Sequence, residues 1–123
     1  VIEDGHSFPS ISDGTIVVRG GEMKLKELRR SAEKARRELK RPGLSVFGAD
    51  GMSVPTLLAA VGDRLPHPVV RLSTAGALRS NGFEVVATQA EYHQSIWVSP
   101  YYTDDELERL TSLFGPPISR RDV

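Results

Sequence analysis

The chain contains no cysteine. That absence removes disulfide staples, thiolate zinc sites, iron–sulfur ligation and cysteine nucleophiles together. It has no apolar run approaching the roughly 18 residues that a membrane-spanning helix needs, and its first residues carry neither the basic region nor the apolar stretch of a signal peptide. A cytoplasmic location with no membrane partner is the expectation. Neither Gly20-Gly21 nor the segment Gly48 to Gly51 has the spacing of a Walker or dinucleotide loop. Net charge is absent too: 16 Lys and Arg balance 16 Asp and Glu, which argues against indiscriminate nucleic-acid binding by the whole surface.

What is present suffices for one core. A length of 123 residues with 39% hydrophobic and 26% charged side chains suits a single globular domain. Residues 1–14 show no periodicity and read as a loosely ordered lead-in. The domain is expected over 15–115, with 116–123 as a C-terminal tail. Within it, the β-branched run Thr15 to Arg19 closed by Gly20-Gly21, the run Leu44 to Phe47, and Val69 to Ser73 read as strands. Phe83 to Thr88 and Tyr92 to Val98 read as an antiparallel hairpin. Helices are expected at Met23–Arg41, after the cap Ser53, from a cap at Ser73 or Thr74, and after the capping box Thr103-Asp-Asp-Glu106. These elements predict an α+β fold with a small, mostly antiparallel sheet of about five strands packed by three to four helices.

The zero net charge hides segments of opposite sign. Between Glu22 and Arg41 there are nine Lys or Arg against four Glu, whereas Glu91 to Val123 holds six acids against three Arg. Leu25, Leu28, Ala32, Ala35 and Leu39 recur at spacings of three and four, so they share one narrow helical face. At 100° per residue, Lys26, Arg29, Arg30, Lys34, Arg36, Arg37, Lys40 and Arg41 fall in the adjoining half-turn. Such a stripe offers phosphates several cations at helical pitch. Arg29, Arg30, Arg36, Arg37, Lys40 and, further on, Arg79 are the candidate nucleic-acid contacts. The same pattern also suits a solvated face stitched by Glu–Lys or Glu–Arg pairs, or a dock for an acidic partner.

Chemistry, if any, is expected elsewhere. In Val70-Arg71-Leu72-Ser73-Thr74, Arg71 and Ser73 share a strand face, and the hydroxyls sit at a helix start with free amides. His93, in Tyr92-His93-Gln94-Ser95, is the best single general acid or base by its ordinary pKa. Metal-free phosphodiester cleavage needs a base, an acid and a cation. His93, Arg71, Ser73 and Thr74 supply those types. Alternatively, Ser73 and Thr74 are caps, Arg71 pairs with Glu84 across a strand, and His93 is a strand residue bonded to backbone. No metal and no cofactor are expected, because the acids Asp104, Asp105, Glu106 and Glu108 are accounted for by the positive end of their own helix.

The order of helix first, then a small sheet bearing Arg71, Ser73 or Thr74, and His93, resembles the compact metal-independent ribonuclease toxins of bacteria, the barnase, colicin and RelE-like group. That resemblance covers about 23–98 and implies an endoribonuclease acting on RNA in a toxin–antitoxin setting, with an acidic protein partner such as a cognate antitoxin. Arg19-Gly20 after a strand, with Ser73-Thr74 downstream, resembles the Arg and Ser-Thr-Ser elements of ADP-ribosyltransferases, which implies NAD use with Glu91 as the acid. The non-enzymatic alternative is a binding module, an antitoxin or a subunit of a larger assembly, that uses the basic helix and the end bearing Trp97, Tyr101 and Tyr102.

Overall fold

The computed structural model describes residues 10–123. The elements run β1 Ile16–Gly20, α1 Leu25–Leu39, β2 Gly43–Phe47, α2 Val54–Val61, β3 Val69–Thr74, α3 Ala75–Ser80, β4 Glu84–Ala87, β5 His93–Trp97, α4 Asp104–Ser112 and β6 Ile118–Ser119. All six strands join one antiparallel sheet in the order β4-β5-β2-β1-β3-β6. The fold is α+β, with six strands where the patterns predict about five.

Alternation along each strand sends neighbours to opposite faces, and both faces are covered at the centre. Val17 and Val18 are therefore both fully buried. On one side Val17, Leu44, Val46, Val85 and Ile96 pack with Leu28 of α1, Leu78 of α3, and Leu107 and Leu110 of α4. On the other, Val18, Phe47 and Val70 meet Leu57, Leu58 and Val61 of α2, together with Leu65. The middle of the sheet thus reads as continuous hydrophobic runs. Gly20 sits where Leu65 and His67 press onto β1: a Cβ there would fall 2.6 Å from Leu65 Cδ1 and against the imidazole.

Caps set the helix starts. The Oγ of Ser53 accepts from Thr56 N at 3.3 Å, that of Thr74 from Ala77 N at 3.1 Å, and that of Thr103 from Glu106 N at 3.2 Å. Each satisfies an amide that the helix itself leaves without a partner. In α1 the carboxylate of Glu27 accepts from Lys24 N. That helix stops at Lys40, whose φ is 65°, two residues before Pro42.

Both ends are more tightly bound than the sequence suggests. The expected tail 116–123 completes the sheet, with Ile118 opposite Val70 and Ser119 opposite Val69. Arg120 then donates to the carbonyls of Leu58, Gly62 and Leu65 at the end of α2. A two-residue strand after Gly115-Pro-Pro is too short to show alternation, which is why its pattern is silent. Of the expected lead-in 1–14, residues 1–9 lie outside the described residues. The remainder is pinned: Ile11 is buried, Gly76 N donates to Asp13 O at 2.7 Å, and the Asp50 carboxylate accepts from Ser12 N, Ser12 Oγ and Thr15 Oγ1. These bonds hold Asp50 below the usual carboxylate range, the Thr15 hydroxyl contributing most. The partners come from far along the chain, so no local signal marks them.

Candidate nucleic-acid interface

The side of α1 that faces the sheet is set by Leu28 and Ala32, its two buried residues. At 100° per residue the direction opposite to that seam is occupied by Lys26, Arg30, Lys34 and Arg37, which lie within about 80° of one another. All four are exposed. Among the described residues none of the four takes part in an ion pair or a side-chain hydrogen bond. From Lys26 to Arg37 the ridge extends roughly 16 Å along the helix axis.

The cations on the flank of the ridge are used within the chain. Arg29 forks onto Asp104, with Nε–Oδ1 at 2.9 Å and Nη2–Oδ2 at 2.6 Å, and this bonding holds the aspartate below its ordinary pKa. Arg36 meets Glu33 at 3.1 Å, donates to Pro100 O at 2.9 Å, and lies 5.8 Å from the centre of the Tyr102 ring. The Tyr102 hydroxyl also donates to Glu33. That bond first, and Arg36 second, lower the Glu33 pKa, while burial and then Glu33 raise that of Tyr102. Arg41 pairs with Glu84 at 2.7 Å and stacks on Trp97. One cation of the helix, Arg29, is therefore docked onto the acidic C-terminal portion within the same chain.

Of the six cations singled out from the sequence, Arg30, Arg37 and Lys40 remain exposed and without an ion pair among the described residues. Arg29 and Arg36 are neutralised on the flank. Arg79 belongs to another place: it donates to Ile11 O, Asp13 Oδ1 and Val85 O, tying the residues before β1 to strand β4. Lys26 and Lys34 stand in the free ridge instead, and the helical wheel alone suffices to find them.

The residues considered for cleavage are not brought together. Arg71 lies on the α4 side of the sheet and donates to the carbonyls of Gly115 at 2.7 Å, Glu22 at 3.1 Å and Phe114 at 3.4 Å. Ser73 Oγ donates to Leu113 O at 2.7 Å. Thr74 is the cap of α3. His93 stands directly opposite Phe47 on β2, on the face away from Arg71. Strands β2 and β1 separate it from β3, three steps or roughly 14 Å. Its Nδ1 lies 2.9 Å from Thr88 Oγ1 and 3.1 Å from Thr88 O. The carbonyl puts the proton of the neutral ring on that nitrogen, and burial pushes the pKa down. Arg71 does not reach Glu84, which sits on β4 and pairs with Arg41 instead.

The NAD-related residues are also dispersed. Arg19 and Ser73 share a face on adjacent strands, yet Arg19 donates to Ser45 O at 2.8 Å and Ser73 is closed by Leu113. Glu91 lies in the turn between β4 and β5, where its carbonyl accepts from Arg64. Among the described residues no cluster of three or more His, Asp or Glu converges as a metal site requires, and no helix is long and apolar enough to cross a membrane. No family model, curated protein or solved structure matches the chain.

Proposed function

We propose that this domain is an RNA-binding module that acts by docking, with the outer ridge of α1 as its contact for the phosphate backbone. The observation that carries the reading is the set Lys26, Arg30, Lys34 and Arg37, which lies opposite the buried seam and forms no ion pair among the described residues. Like charges three and four residues apart along the row repel one another, and a bound polyanion relieves that repulsion. Neutralising phosphates releases their condensed counterions and supplies affinity without sequence preference. An acidic protein surface would meet the same charges. However, protein interfaces are built around desolvated, largely apolar cores in which Lys is depleted although Arg is not, and the ridge has no apolar residue within it. His93 and Arg71 face different sides of the sheet, so this reading assigns them no shared catalytic role.

The test is fluorescence anisotropy of a labelled oligouridylate with the intact chain. Reversing two ridge charges together, Arg30→Glu with Arg37→Glu, is expected to abolish measurable binding, whereas the control Arg121→Glu, at an exposed position far along the chain, leaves it intact. Equal affinity of the double variant and the unchanged protein would overturn the reading.

A further inference from the structure

The exposed aromatic beside the ridge assigns a substrate form to it. Tyr101 is 93% exposed, an unfavourable state for a large ring with an apolar body. The backbone on either side of it is held in place. Tyr102 N donates to Ser99 O at 3.0 Å, which closes a four-residue turn with Pro100 and Tyr101 at its centre, and Pro in the second position pre-sets such a turn. Both neighbours of Tyr101 are fastened to α1: Pro100 O accepts from Arg36 and the Tyr102 hydroxyl donates to Glu33. At the base of the turn Ser99 N donates to Glu106 Oε2 at 2.8 Å. These bonds fix the backbone that carries the ring, so ordering this segment costs little when a partner binds.

Its place follows from those two anchors. Glu33 lies on the flank of α1 beside the ridge residues Arg30 and Arg37, three and four positions away, and the charge of Arg37 acts on its carboxylate, while Arg36 lies further round toward the buried seam. Of the acids in the same neighbourhood, Glu33 and Asp104 are paired with Arg36 and Arg29 and Glu106 accepts from Ser99 N, while Asp105 is exposed and forms no ion pair among the described residues. Cations that follow a backbone beside an aromatic face on which a base can stack is the layout that recognises single strands. In a duplex the base faces are already stacked and cannot reach Tyr101. We infer that the module takes single-stranded RNA, with one base stacked on Tyr101 while the flanking phosphates run along the α1 ridge. This rests on the docking function proposed above and narrows it.

The experiment compares a labelled oligouridylate with a blunt RNA duplex on the intact chain, using Tyr101→Ala, Tyr101→Phe and the double ridge variant Arg30→Glu with Arg37→Glu. Because the Tyr101 side chain is almost wholly in water, its substitution leaves the fold unchanged. Tyr101→Ala is expected to weaken the oligouridylate roughly tenfold, Tyr101→Phe to bind as the unchanged protein, and duplex binding to be unaffected by either. Equal loss on both nucleic acids, or no loss on the single strand, would overturn the stacking assignment while leaving the ridge intact. If the ridge variant binds both as well as the unchanged protein, the docking function itself fails. Tighter binding of an oligodeoxythymidylate, or of polyglutamate, would overturn the commitment to RNA.

Discussion

Arg19 and Arg71 stand directly opposite each other across β1 and β3, and neither forms an ion pair among the described residues. Two like charges abreast are unfavourable; here the Arg71 guanidinium is spread over three backbone carbonyls, while Arg19 meets one carbonyl and the Ser31 hydroxyl. Arg71 takes those of Phe114 and Gly115 just beyond α4, at the negative end of that helix, where a cation is favoured and the last carbonyls lack partners. Arg19 takes Ser45 O, and its burial pushes its pKa down. The pair fastens the sheet to the chain around it.

Replacing Arg71 by methionine should therefore lower stability by about 2 kcal/mol, because charge-assisted hydrogen bonds are lost and carbonyls are stranded. Urea unfolding measures the loss. RNA affinity of the folded protein should be unchanged; a variant of normal stability that no longer binds RNA would contradict this account.

At Gly20 a single methyl group should be felt. Gly20→Ala drives a Cβ into Leu65 and the His67 ring, and overpacking of this kind costs about 1–3 kcal/mol. A shortened His67→Ala side chain in the same molecule should recover part of the loss. Thermal unfolding of the two variants tests the pair, and additive losses would count against the contact.

His93 predicts the pH response. Its folded pKa is depressed by burial, so between that value and the unfolded value of about 6.5 the unfolded chain binds more protons. Stability is then fully present above pH of about 6.5 and declines as the pH falls through that window. The depressed carboxylates Glu33, Asp50 and Asp104 act in the same direction but in a more acidic range. His93→Gln should flatten the decline near pH 6 and leave the acid limb. A slope that persists in the variant would place its origin elsewhere.

Salt should report on the ridge. Each phosphate neutralised on a single strand contributes a slope of about −0.7 in log affinity against log salt. Engagement of the four ridge cations predicts a slope near −3. Arg30→Gln should make it shallower by about 0.7, whereas Arg29→Gln, already neutralised by Asp104, should change it little. Identical slopes for the two variants would remove the distinction between ridge and flank.

Much of the fold was legible because local rules dominate there. The spacing of Leu25, Leu28 and Ala32 marks the buried side of α1, Thr103 marks the start of α4, and the hairpin of β4 and β5 forms as its two runs predict. The site was legible only in part. The wheel separates cations from the apolar seam and sets Arg30 a quarter-turn from Arg29, but it does not show which of them finds an acidic partner. Asp104 distinguishes them from 75 residues away in sequence.

The sequence by itself determined the elements, the α+β class and the existence of a cationic side on α1, because periodicity and capping act over a few residues. Tertiary structure alone decided which of those cations stay free, that 116–123 closes the sheet edge, and that Arg71 and His93 look to opposite sides. Those outcomes depend on strand order and long-range partners. A strand's alternation says that two residues share a face, but not which helix covers that face or which strands lie between.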